Sequence, residues 1–166
     1  RRCAVLKASN ATVQYGLTVS GKDSAVRGLG IHGFGQGSSG GDLSASGANA
    51  LVEGNVVGSH ATSLSKPEGA QISLGEAGIL FQGVNGVVQN NLVAYGSTRG
   101  IYFSSGATGS MAMFNEVLHN GRASTGSNNG GITAANAHSV RIHANRVVDN
   151  GASGLTLHAD AGSITE

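Results

Sequence analysis

Residues Gly78–Val93 read GILFQGVNGVVQNNLV, and copies of this pattern recur on both sides of it. Each copy opens with a small residue and an apolar one, and turns a corner built of Gly, Ser, Ala or Asn. It then enters a second apolar run and closes on Asn-x-Val or a near variant. Aligned on the opening apolar residue, the copies begin at Leu17 (GLTV), Leu43 (DLSA), Ile79 (GILF), Ile101 (GIYF), Ile132 (GITA) and Leu155 (GLTL), at intervals of 26, 36, 22, 31 and 23 residues. The distance from that residue to the closing Asn is nearly constant: 12 from Leu43 to Asn55, 12 from Ile79 to Asn91, 14 from Ile101 to Asn115 and 13 from Ile132 to Asn145. Length varies mainly after the Asn. Fixed strands joined by one set of free loops are the mark of a solenoid.

Composition agrees with a folded, β-rich chain. Of 166 residues 28 are Gly and one is Pro, 39% are hydrophobic and 11% charged, with a net charge of +1. Disorder goes with low hydrophobicity and high charge, which is the opposite balance. Helical periodicity is absent over any useful length, and this density of Gly and Asn penalises a helix heavily. A chain so weakly charged and poor in aromatics lacks the basic face and stacking platform that nucleic acid requires, so no nucleic-acid partner is expected. No window approaches the ~18 continuous apolar residues of a membrane span. Cys3 is the only cysteine, so no disulfide forms within the chain. The sequence opens RRC without an initiator Met, the form of a processed chain or of a segment of a longer one.

Residues 1–166 read as one domain, with an edge strand or half coil at 1–14, clear repeats over 15–157 and a long excursion at 61–74 that holds Pro67. Side chains alternate along a strand, and this assigns the faces. Leu17/Val19, Leu43/Ala45, Ile79/Phe81, Ile101/Phe103, Ile132/Ala134 and Leu155/Leu157 point inward from the first strand of each coil. Thr18, Ser44, Leu80, Tyr102, Thr133 and Thr156 point outward between them. In the second strand Val26, Val52, Val88, Ala112 and Ile142 face inward, and Arg27, Glu53, Gln89, Met113 and His143 follow on the outside. Leu29 stands in the first coil where later coils have the closing Asn.

The segments GLTVSG…VRGLGIHGFG, ALVEGNVVGSHATS, GILF…NGVVQNNLVAYG and VRIHANRVVDNGASGLTL resemble the repeats of the pectate-lyase-like superfamily over about residues 15–157. The pattern is most similar to β-helix repeat domains of bacterial or archaeal surface proteins. The resemblance implies an all-β, right-handed parallel β-helix of about five to six coils, in an extracellular or cell-surface location. It also implies that Asn55, Asn91, Asn115 and Asn145 stack as a structural ladder, with Asn120 and Asn150 as a second pair. Asn suits such a corner because it tolerates left-handed backbone and carries both a donor and an acceptor. The superfamily hosts several activities, so the fold alone does not give the function.

The residues themselves favour structure over catalysis. Glycan hydrolysis uses two converging carboxylates, and the coil alignment places no two acids in neighbouring rungs of one column. Acids instead fall beside bases: Arg27 under Glu53, Glu116 under Arg146 and His119 under Asp149. Such cross-strand pairs are a stabilising device. The six histidines form no HxH or HxxxH pair, and only His138 and His143, across one corner, stand where a shared ion would reach both. No catalytic residue, metal or cofactor is expected. The hydroxyl-bearing outer column Thr18, Ser44, Tyr102, Thr133 and Thr156 is the candidate face for glycan contact. The expected function is a structural or surface-exposed module that stacks head to tail with its own copies, or forms a segment of a large surface protein. The alternative is a carbohydrate-active β-helix, such as a lyase, a hydrolase or a tailspike-like glycan binder.

Overall fold

Every coil contributes one short strand to each of three parallel sheets, so the chain climbs the axis one rung per repeat. The computed structural model describes residues 4–9, 12–35, 40–68, 73–122 and 129–158, and the backbone of 162–164. The first sheet stacks β1 (Ala4–Lys7), β4 (Leu29–His32), β7 (Val56–Val57), β10 (Leu92–Ala94), β13 (Glu116–Leu118) and β16 (Arg146–Val148). The second stacks β2 (Tyr15–Val19), β5 (Gly41–Ala45), β8 (Ala77–Phe81), β11 (Arg99–Phe103), β14 (Gly130–Ala134) and β17 (Ser153–Leu157). The third stacks β3 (Ala25–Arg27), β6 (Leu51–Glu53), β9 (Val87–Gln89), β12 (Met111–Met113), β15 (Val140–His143) and β18 (Gly162–Ile164). The chain is an all-β parallel solenoid, with no helix among the described residues.

The uneven sequence intervals are true rung-to-rung steps. Leu17 pairs with Leu43, Leu43 with Ile79, Ile79 with Ile101, Ile101 with Ile132 and Ile132 with Leu155. Insertions of different length are therefore absorbed outside the strands and leave the register untouched. The inward columns form one continuous core in which Leu43, Ile79, Ile101, Ile132, Phe81 and Phe103 are fully buried. The Phe81 and Phe103 rings meet at 5.6 Å between centroids. Burial of each such side chain stabilises the fold by about 1.5–3 kcal/mol relative to exposure. Leu155 points the same way but is 40% exposed, because β17 is the outermost described strand of its sheet. At the other end β1 is the outermost described strand of the first sheet.

The outer face of the second sheet departs from the expectation of a solvent-facing column. Ser44, Leu80, Tyr102 and Thr133 are buried, Tyr102 to 8% exposure and Thr133 to 1%. Leu80, Tyr102 and Ala77 form a small apolar cluster outside the main core, with Ala135 packed against it. The guanidinium of Arg99 lies 4.3 Å over the Tyr102 ring. The reason is apolar: Leu80 and Tyr102 stand side by side in register, and packing removes them from water. Only Thr18 remains exposed and Thr156 half-buried.

Where the first sheet hands over to the second, the residue before each inward column is Gly16, Gly78, Gly100, Gly131 or Gly154, with Asp42 as the exception. At Gly100 an added Cβ would stand 2.5 Å from Val117 Cγ1, 2.8 Å from Asn120 Nδ2 and 2.9 Å from the Gly131 carbonyl oxygen. At Gly154, in the outermost rung, the only neighbour is Val147 Cγ1 at 3.8 Å. Gly100→Ala is expected to cost about 1–3 kcal/mol in urea unfolding, the range of an overpacked core. Gly154→Ala, at the same point of the repeat, should leave the midpoint nearly unchanged.

Candidate functional site

The corner between the third and first sheets has a residue in left-handed backbone in every coil: Gly28, Gly54, Asn90, Phe114 and Ala144, with φ of 66°, 64°, 55°, 55° and 51°. That turn aims the next side chain, the ladder Asn, into the stack. Asn55 Nδ2 donates to Asn91 Oδ1 (3.0 Å), Asn91 to Asn115 (2.9 Å) and Asn115 to Asn145 (2.9 Å). The second amide hydrogen turns the other way, from Asn55 to the Val26 carbonyl, from Asn91 to Val52, from Asn115 to Val88 and from Asn145 to Ala112. Each Oδ1 also accepts a backbone N–H from the neighbouring rung, and the first of these donors is Leu29. Asn91 and Asn115 each tie three rungs, and in both amides all four hydrogen-bonding positions are taken. Asn120 and Asn150 repeat the arrangement at the next corner, where Gly96 N–H donates to Asn120 Oδ1.

Asp42 is the group that sequence reasoning passed over. It is fully buried, and its Oδ1 accepts the Phe34 N–H at 3.0 Å. Its Oδ2 accepts the Ser73 hydroxyl at 2.5 Å, while Ser73 Oγ accepts the Gly33 N–H at 3.2 Å. Burial raises its pKa from 3.8 to about 7, against the smaller opposing pull of the Ser73 and Phe34 hydrogen bonds. The signal in the sequence was DLSA among copies that open GL or GI: an acid where the stack otherwise has only hydrogen.

Two of the three expected acid–base pairs form. Arg27 Nε meets Glu53 Oε2 at 2.8 Å, and Arg146 pairs with Glu116. The Arg27 hydrogen bond, then that of Gln89, hold Glu53 below the usual carboxylate range. Arg99 and Glu76 add a pair at 3.5 Å that the alignment had not shown. His119 does not turn to Asp149 although the two stand in register. Its ring stacks on Tyr95 from the rung below, with centroids 5.3 Å apart and planes 13° from parallel. His143 packs edge-on to Phe114 at 5.5 Å. His32, buried, meets His60 edge-on at 4.9 Å. No group of three His, Cys, Asp or Glu stands close enough to hold a metal ion among the described residues.

A cleft of about 380 Å³ lies beside the corner after the first sheet. Tyr95, Gly96 and Ser97 form its floor with His119, and Lys66, Leu74 and Arg122 form its walls. Its parts are fastened to the solenoid: Gly96 to Asn120, Ser97 N–H to the Ser73 carbonyl (3.0 Å), Leu74 N–H to the Phe34 carbonyl (3.1 Å) and Arg122 Nε to the Asp149 carbonyl (3.1 Å). Among the described residues the lining supplies two cations, a phenol, an imidazole and a hydroxyl, and no carboxylate. A smaller hollow of about 300 Å³ lies at the first rungs between Lys7, His32, His60 and Thr62. The candidate glycan column contributes to neither. No protein family, no curated protein and no solved structure matches the chain.

Replacing Asn91 by Ala strands the Asn55 amide and the Val52 carbonyl inside the corner. A loss of about 1–3 kcal/mol is expected in urea unfolding, and an unchanged midpoint would refute the structural role of the ladder.

Asp42 generates a pH dependence whose sign is opposite to that of a salt-bridged acid. Below pH 4 both folded and unfolded chains hold the proton. Between about 4 and 7 the unfolded chain loses it first, so this group's contribution to stability falls as pH rises and levels off above about 7. Asp42→Asn should flatten that slope and raise the melting temperature at pH 8 relative to the parent. Thermal unfolding from pH 4 to 8 of both proteins checks this.

Proposed function

We propose that this chain is a structural β-solenoid module that extends by stacking end to end with its own copies. The observation that carries this reading is the way the strands are distributed over the sheets. The described chain starts with β1 in the first sheet and finishes with β17 and β18 in the second and third, and each sheet holds six strands. Among the described strands, the outermost in each sheet, β1, β2 and β3 on one side and β16, β17 and β18 on the other, have a strand neighbour on one edge only. The end rungs also expose side chains of core character: Val5, Leu6 and Tyr15 at one end, Leu155 at the other. Unpaired strand edges of this kind favour pairing with another chain.

The chemistry of the surface supports a structural role as well. The acids of the outer columns are engaged in cross-rung pairs, Glu53 with Arg27, Glu76 with Arg99 and Glu116 with Arg146. The resemblance of the repeats to those of microbial surface proteins points the same way, toward an extracellular scaffold. A net charge of +1 gives little self-repulsion against dense packing. Because the contact joins two different faces, it propagates as a filament unless a rotation closes it. With rungs ~4.8 Å apart, six of them give an axial repeat of about 29 Å.

Light scattering over a concentration series, with electron microscopy of the same samples, tests the proposal. Expected are rods that lengthen with concentration and show that repeat, and a return to single subunits for Val5→Lys or Leu155→Lys without a lowered melting temperature. Monodisperse subunits at every concentration, or a native polypeptide whose further coils continue within one subunit, would overturn it.

A further inference from the structure

The cleft beside Tyr95 brings two basic side chains together. Four of the basic side chains, Lys22, Arg27, Arg99 and Arg146, each stand within ion-pair distance of an acid. Lys7, Lys66, Arg122 and Arg141 have no such partner among the described residues, and of these Lys66 and Arg122 come together in this cleft, whose described lining holds no acid. Arg122 is held in place by its Nε bond to the Asp149 carbonyl, which leaves the Nη edge of the guanidinium for another partner. On a molecule of near-zero net charge, two uncompensated cations in one concavity focus a positive potential there.

The floor adds shape to that charge. Tyr95 and His119 occupy equivalent corner positions on successive rungs, both in left-handed backbone with φ of 63° and 58°. Their rings stack to give one aromatic wall two rungs deep. The adjoining Ser97 supplies a hydroxyl, and Leu74, 42% exposed, an apolar flank. About 380 Å³ lies within the size range of small-molecule sites.

From the unpaired Lys66 and Arg122 beside the Tyr95–His119 stack, we infer that this cleft binds a small organic anion, with its charge on the two cations and a ring face against the aromatic wall. An acidic sugar and an aromatic acid share that chemistry. The site is separate from the faces that stack, since its residues come from interior rungs and their loops, so it operates on the single subunit and in the rod alike.

NMR titration of the full chain, followed at the Tyr95 and His119 ring resonances, tests this with four probes: glucuronate, its neutral methyl ester, benzoate and inorganic sulfate. Saturable shifts are expected with glucuronate or benzoate, and the tighter of the two identifies the source of the ring. Binding of that probe should weaken at least tenfold in Lys66→Gln and Arg122→Gln and fall with added salt. The glucuronate ester should bind at least tenfold more weakly than glucuronate. Tyr95→Asn, which suits left-handed backbone, should reduce the ring-bearing anion to the affinity of sulfate. The inference is overturned if no probe saturates, if the ester matches the acid, if sulfate alone binds as tightly, or if both cation variants bind as the parent does.

Discussion

The Asn91 side chain donates one hydrogen to Val52 and the other to Asn115, while its oxygen receives both the backbone and the side-chain N–H groups of Asn55. Repeated from Asn55 to Asn145, this contact fixes the height and phase of each corner relative to its neighbours. Phase matters because side chains alternate along a strand: a slip of one residue would turn a whole apolar column outward. With the corner pinned, Leu43, Ile79, Ile101 and Ile132 fall above one another, and so do Val52, Val88 and Ala112. Burial of those columns is the larger energy, while the amides decide which register receives it.

A second constraint acts at the opposite corner, where strands enter the second sheet pressed against Val93, Val117 and Val147. The glycine column exists because the space there is occupied. Asp42 is the one side chain admitted, and it draws Phe34 and Ser73 into the gap by hydrogen bonds. Those two residues in turn carry the backbone contacts to Leu74 and Ser97, which line the cleft. A buried carboxyl in the scaffold thus fixes the position of a loop wall on the surface, and its proton is held up to about pH 7.

Nearest-neighbour stacking makes the scaffold tolerant of what hangs from it. Coils with insertions as different as those before β8 and β11 keep the same pairing, since the connections leave the rungs at corners already secured. The loops are consequently where chemical variety collects. Lys66, Leu74 and Arg122 belong to such connections, and they meet over Tyr95 and His119 only because the rungs bring them to one side. End-to-end stacking, as proposed, and the local cleft would be two uses of one device, a stack of fixed rungs that holds variable loops in place.

The repeat, its irregular steps, the inward columns and the asparagine ladder were all legible in the sequence. They depend on relations within a coil, namely strand alternation, a corner of Gly and Asn, and a constant distance from Leu43 to Asn55 or from Ile79 to Asn91. The burial of the outer face of the second sheet was not legible, because Leu80 and Tyr102 pack with Ala77 and Ala135 in a cluster apart from the inward columns that the repeat defines. The stacking of His119 on Tyr95 in place of an approach to Asp149 is likewise a choice among neighbours at equal register distance, made by ring packing rather than by charge. The sequence by itself determined the solenoid, since hydrophobic periodicity and corner chemistry recur in every rung. Only the tertiary structure decided where charge, aromatic surface and open space coincide, because that depends on loops whose lengths the repeat leaves free.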